Sequence, residues 1–227
     1  FMQRNEKDIN DVLLKESRFN FNLEKDTLIR VQLFKTQKLE HIMTINMHHI
    51  ISDGWSQVVL FNELMMTYYE LVNDLDVTLK FLPIQYKDYA NWHNDILQTD
   101  KVDLFKKYWN TKFAVLPPKV DLTAFQKRKP QMSFRGKVKR YKLDDKYFLG
   151  FKVLAQKTQT TMFSVVLTYF KVLLYKYSGQ KDITIGTSVA GRNHPDLESQ
   201  IGFYVNTIPV RNTINSENNF SQQLHEL

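Results

Sequence analysis

The stretch His48-His49-Ile50-Ile51-Ser52-Asp53-Gly54 reads HHxxxDG, and no other segment of the sequence is as informative. A histidine at the end of an apolar run, followed by an aspartate and a glycine turn, suits a positioned acid or base. On extended backbone, adjacent side chains point to opposite faces, so His48 and His49 do not readily serve one reacting centre or one metal. One of the pair is expected to be chemical and the other structural.

Upstream of the motif, His41–His49 alternates like a strand and pairs as a hairpin with Thr27–Lys35 across the turn-like Thr36–Leu39. Met43, Ile45, Met47 and His49 share one face of that strand; Ile42, Thr44, Asn46 and His48 share the other. The apolar Met43-Ile45-Met47 face is expected to be buried, which places His49 in a poorly solvated setting. Downstream, Ser52-Asp53-Gly54 turns the chain into an amphipathic helix over Ser56–Val72. A second helical region, Ile84–Lys112, holds aromatics expected to serve as core. Leu116-Pro117-Pro118 breaks the pattern and opens a polar, basic connection to about Gln131. Beyond it the spacing predicts a strand at Lys137–Leu143, helices at Asp145–Lys157 and Thr161–Tyr177, strands at Ile183–Val189 and Gly202–Arg211, and a helix start at Phe220–Leu227. Ser178-Gly179 supplies a helix stop. Strands alternating with helices define an α/β layered fold.

Composition narrows the function classes. The 227 residues are 43% hydrophobic and 13% aromatic, ample for a packed core. A mean hydropathy of −0.40 and the lack of a long apolar run argue against a membrane span. With no cysteine there are no disulfides, thiolate metal sites or cysteine nucleophiles, which fits a cytoplasmic protein. The net charge of +7, from 31 Lys and Arg against 24 Asp and Glu, is densest in Lys127-Arg128-Lys129 and in the run from Arg135 to Arg140. No nucleic-acid motif accompanies it, so it reads as a solvated face. A zinc site is disfavoured because the paired histidines are adjacent and the others are scattered. A G-x-S-x-G elbow and phosphate-cradling glycine loops are also missing from the sequence.

Met47-His-His-Ile-Ile-Ser-Asp-Gly-Trp-Ser56 resembles the signature of condensation domains of nonribosomal peptide synthetases, in the superfamily that includes chloramphenicol acetyltransferase. Further stretches agree in the same order. Tyr86-Lys-Asp-Tyr-Ala-Asn-Trp92 resembles the YxDxAxW segment, and Ser133-Phe-Arg-Gly136 the SFxG element. Ile185-Gly-Thr-Ser-Val-Ala-Gly-Arg192 with Ile201-Gly-Phe-Tyr-Val-Asn-Thr-Ile-Pro-Val-Arg211 resembles the GTxxAGR…IGxFVNTxPxR region.

The resemblance implies a two-lobed chloramphenicol acetyltransferase-like sandwich, incomplete at both ends. The lobes are expected at residues 1–117 and 133–227, with a crossover linker at 118–132. It implies an acyltransferase that forms peptide bonds between aminoacyl or peptidyl thioesters. These are carried on the 4'-phosphopantetheine of donor and acceptor peptidyl carrier domains, with an adenylation domain adjacent. No metal or tightly bound cofactor, nucleic acid or membrane is implied.

His49 becomes the catalytic histidine by this carry-over, while His48, Asp53 and Gly54 are structural. Gly54 is expected to allow close backbone approach. Trp55, Asn206 and Thr207 are expected along the substrate tunnel. The family's arginine partner for Asp53 comes from an N-terminal RHxxLR-like segment that this sequence lacks, and Arg192 is the alternative. Two other roles share the resemblance: an epimerisation domain, and a catalytically silent carrier-docking platform.

Overall fold

The computed structural model describes residues 6–37, 39–122, 131 and 136–226. The chain forms two compact units, one built from Phe1–Val102 with Ser188–Asn206, the other from Asp103–Thr187 with Thr207–Leu227. Most of the expected 118–132 linker and of the SFxG element lies outside the described residues, as does Lys127-Arg128-Lys129.

The first unit begins with helix α1 (Glu6–Glu16) and the strands β1 (Ile29–Gln37) and β2 (Glu40–Met47). The strands pair antiparallel, with Arg30 opposite Asn46, Gln32 opposite Thr44 and Phe34 opposite Ile42. These six residues share one face, and the end of α1 lies over it. Arg30 donates to both Glu16 carboxylate oxygens at 3.0 and 3.1 Å, and the Asn46 side-chain amide donates to the Glu16 carbonyl at 2.6 Å. Phe34 is 7% exposed on that face, whereas Val31, Leu33 and Met43 on the other are 57, 46 and 42% exposed. The expected burial of the Met43-Ile45-Met47 face is therefore not met: Met43 is exposed, Ile45 and Met47 are only half-buried, and the helix meets the other face. Both faces carry apolar residues, so the polar anchors Arg30, Gln32 and Asn46 decided which one meets the helix.

Helix α2 (Gly54–Val72) starts two residues earlier than expected, because the Asp53 carboxylate caps it by accepting from the Ser56 amide. The predicted helical region 84–112 holds two helices, α3 (Tyr86–Leu97) and α4 (Lys101–Lys112). The Thr99 hydroxyl donates to the Ile96 carbonyl at 2.7 Å and competes with helix continuation at the break. Trp92, Phe105 and Tyr108 are 56, 61 and 58% exposed, so these aromatics are surface rather than core.

The second unit packs α5 (Asp145–Lys157) and α6 (Met162–Ser178) around Ala155, Val165 and Leu224, flanked by Phe151, Leu154 and Phe220. Gly179 ends α6 at φ +70°, the left-handed position that glycine occupies without steric cost. β3 (Asp182–Val189) is followed by the one-turn helix α7 (Pro195–Glu198). β4 (Asn206–Thr213) joins β3 in a two-stranded sheet, and α8 (Phe220–His225) closes the chain. Arg211 on β4 clamps Asp182 at 2.6 Å and donates to the Lys112 and Val115 carbonyls at 3.1 and 2.7 Å.

Two strand expectations change. Residues 137–143 are exposed and unpaired in any ladder among the described residues, and β4 starts at Asn206 rather than Gly202. Alternation marks a segment that can pair, but a strand also needs a neighbour. Gly202 and Tyr204 give their amides to side chains instead.

Lys171 on α6 is 1% exposed, with its ammonium against the Asn212 side-chain carbonyl. Burial, then the Lys112 charge, pull its pKa down to about 8. The folded state thus releases this proton before the unfolded chain does. Its charge costs stability below pH 8, and that cost fades as pH rises from about 8 towards the ordinary lysine value of ~10.4. Lys171→Met is expected to raise stability at pH 7 by about 1–3 kcal/mol, since it replaces a poorly solvated charge with apolar volume. Thermal unfolding of the two proteins at pH 7 and 10 checks this; an equal or lower melting temperature for the variant at pH 7 contradicts it.

Candidate active site

The HHxxxDG motif lies where β2 ends. His48 is extended, at φ −70° and ψ 137°, and its Nδ1 accepts the Ile50 amide at 3.0 Å. His49 opens a short 3-10 turn, His49–Ile51, and is exposed. The expected poorly solvated setting for His49 is overturned, because the strand stops at Met47 and the turn carries His49 outward. The adjacent histidines meet different neighbours: the His48 ring lies 6.0 Å from Phe21, and the His49 ring lies 5.3 Å from Phe203 in a T-shaped pair.

Below this turn is a buried polar node. Asp53 and Ser56 are 2% and 0% exposed. Asp53 Oδ1 accepts the Ser56 amide at 2.8 Å and Arg192 Nη2 at 3.1 Å, and Oδ2 accepts the Tyr204 amide at 3.1 Å. The Ser56 hydroxyl lies 2.7 Å from Asp53 Oδ1 and 2.8 Å from the Gly202 carbonyl, and donates its one proton to either. It also accepts from the Gly202 amide at 3.0 Å and from Arg192 Nη2 at 2.9 Å. Arg192 Nη1 reaches the Leu197 and Gln200 carbonyls, and its guanidinium stacks 4.1 Å from the Tyr204 ring.

Burial alone would raise the Asp53 pKa, but hydrogen bonds from Ser56, Tyr204 and Arg192 outweigh it and hold the carboxyl at about 2. Burial pushes the Tyr204 phenol up to about 12, against the pull of Arg192. At neutral pH Asp53 is thus an anion with both oxygens accepting hydrogen bonds, suited to holding the turn rather than to moving protons.

Arg192 is the partner that the sequence named without ranking. Ser56, Gln200 and Tyr204 stood within or beside quoted motifs, but no role could be read for them. The Tyr204 hydroxyl donates to Gln200 Oε1, and Gln200 Nε2 donates to the Ile84 carbonyl at 2.9 Å.

Gly54 does not serve close approach, since a Cβ there would meet nothing within 4 Å. It is simply the first residue of α2. The tight glycine is Gly191, at φ +69°, where a Cβ would lie 2.1 Å from the Tyr204 carbonyl oxygen. Gly191→Ala therefore combines left-handed backbone with a backbone clash and is expected to cost about 3 kcal/mol or more. Denaturant titration checks this; a loss under about 1 kcal/mol, the ordinary effect of a single substitution, would contradict it.

The remaining candidates occupy different surroundings. Trp55 is 45% exposed, and its indole N–H donates to the Glu198 carbonyl at 2.8 Å. Asn206 lines a cavity of about 630 Å³ with Tyr89, Trp92, His93 and Tyr204. Thr207 is exposed, and its methyl lies 3.2 Å from where a Cβ on Gly186 would stand.

The fold and this node define a class, and comparison settles which. The chain belongs to the Condensation domain family, whose model matches residues 2–227. It is 35% identical over 212 residues to bacitracin synthase 1 of Bacillus licheniformis, and 39% identical over 204 residues to malpibaldin synthetase of Mortierella alpina. These alignments cover 93 and 90% of this chain but only 4% of each of those proteins. Among solved structures, the X-domain from teicoplanin biosynthesis superposes with a TM-score of 0.88 at 23% identity, covering 99% of this chain and 51% of that one. The first condensation domain of the CDA synthetase gives 0.80 at 18%, covering 99 and 52%. The fold is accordingly that of condensation domains, and the chain spans about half of those structures. No described helix is long and apolar enough to cross a membrane.

Proposed function

We propose that this chain forms part of a domain that joins two carrier-bound thioesters by a peptide bond, with His49 as base or positioning residue. The observation that carries the reading is the placement of His49. It is exposed on a turn whose foundation, Asp53 with Arg192 and Ser56, is buried and joined by an ion pair and hydrogen bonds. A reacting group needs access to substrate and a fixed origin, and this arrangement provides both.

The step balances without a cofactor. The acceptor amine attacks the donor thioester carbonyl, a C–N bond forms, and the C–S bond breaks. The amine proton passes by way of His49 or directly to the departing phosphopantetheine thiolate. Donor and acceptor peptidyl carrier domains would deliver the substrates, and an adenylation domain would load them. The lobes at 1–117 and 133–227 with the 118–132 crossover, and a substrate-lining role for Trp55, Asn206 and Thr207, belong to this proposal. Resemblance to synthetases named for bacitracin and malpibaldin supports peptide assembly as the context.

The test is a single-turnover reaction in the synthetase module that carries this chain, with loaded donor and acceptor carriers. Peptide formation supports condensation. Exchange of the substrate α-proton without peptide replaces it with epimerisation. Carrier binding with neither reaction replaces it with a silent docking role.

A further inference from the structure

We propose that Phe203 is a positioning residue for His49, held in place by a backbone clamp anchored on Ser56, Asp53 and Tyr86. The inference rests on the reading of His49 as the reacting histidine and adds the element that sets its ring orientation. Phe203 is 40% exposed, yet the backbone on both sides of it is immobilised. The Gly202 amide donates to the Ser56 hydroxyl at 3.0 Å, and the Gly202 carbonyl lies 2.8 Å from the same hydroxyl. The Tyr204 amide donates to Asp53 Oδ2 at 3.1 Å, and the Tyr86 hydroxyl donates to the Phe203 carbonyl at 3.0 Å. Three consecutive residues are therefore pinned through backbone groups to α2, its cap and α3.

Such pinning of a half-exposed aromatic is more than core packing requires. Its product is the ring contact with His49, at 5.3 Å between centroids and 83° between planes, the edge-to-face geometry that aromatic pairs prefer. His49 sits on an exposed 3-10 turn, where its ring would otherwise sample several rotamers. Contact with the Phe203 ring removes part of that freedom. Ser56 thereby links the two sides of the site: one hydroxyl braces the Asp53 cap beneath His49 and the Gly202 amide beside Phe203.

The test is steady-state condensation in the intact module for Phe203→Leu, Phe203→Tyr and Tyr86→Phe beside wild type and His49→Ala. Misplacing a reacting group by about 1 Å can cost up to ~10²-fold, so kcat of Phe203→Leu is expected to fall about tenfold with KM for both carriers unchanged. Phe203→Tyr keeps the ring and should restore most of kcat. Tyr86→Phe loosens one clamp bond and should fall between them. Equal melting temperatures across the Phe203 variants would separate positioning from stability. An unchanged kcat in Phe203→Leu, or a change in KM alone, overturns the proposal while leaving His49 in its role. Full activity in His49→Ala overturns the reading beneath it as well.

Discussion

Asp53→Ala is expected to destabilise the protein by about 3–5 kcal/mol, because it leaves the Arg192 guanidinium buried without its counter-charge. For a domain of this size that is a drop in melting temperature on the order of 10 °C. The side chains of the pair are 1 and 2% exposed, so water does not replace the lost partner. The Ser56 and Tyr204 amides lose their acceptor at the same time. Arg192→Lys should be nearly as damaging. One ammonium cannot reach the Leu197 and Gln200 carbonyls on one side and Asp53 with Ser56 on the other. A double-mutant cycle of Asp53→Ala and Arg192→Ala should show strong coupling, and additive losses would contradict the node.

The same residue sets the acid limb of the stability profile. The Asp53 carboxyl titrates at about 2 in the fold, below its unfolded value of ~3.9. The folded state therefore binds the proton less readily than the unfolded chain. Its contribution, on the order of 2 kcal/mol, is fully present above pH ~4 and disappears as pH falls through about 2. Asp53→Asn should flatten this limb. Urea titrations between about pH 2 and 6 would show it, and an unchanged acid slope in the variant would remove Asp53 from the account.

His49→Ala should have the opposite signature: nearly unchanged stability and a collapsed rate. An exposed side chain away from the node is expected to shift stability by no more than about 0.5 kcal/mol. Loss of base assistance costs about 10²–10⁴-fold, and loss of orientation adds to it within the ~7–11 kcal/mol that positioning can contribute. Single-turnover peptide formation, read beside thermal unfolding of the same proteins, checks both halves. His48→Ala provides the contrast. Its Nδ1 accepts the Ile50 amide, so its loss should appear mainly in stability, at about 1 kcal/mol. Full rates in His49→Ala would move the chemistry elsewhere, and a large loss of stability would recast His49 as structural.

The sequence by itself determined the order of most elements, the family and the residues worth testing. Helical spacing located α5 and α6, with Gly179 as the stop of α6, because those signals are local: apolar period, cap and left-handed glycine act within a few residues. His48 and His49 do meet different neighbours, Phe21 and Phe203, although a turn at His49 rather than strand alternation sets them apart. Local patterns could not decide which face of β2 is buried, since Met43 and Ile42 lie on opposite faces of one apolar strand. The carboxylate of Glu16, on a helix far upstream in the chain, made that choice by gathering Arg30, Gln32 and the Glu16 carbonyl's partner Asn46 to one side. Nor could the sequence rank Arg192 as the partner of Asp53, or give Ser56, Phe203 and Tyr204 a role. Those residues are separated from their partners by well over a hundred positions or carry no charge pattern. Their pairing exists only once tertiary structure excludes water from the node, where desolvation makes an unpaired carboxylate, hydroxyl or amide costly.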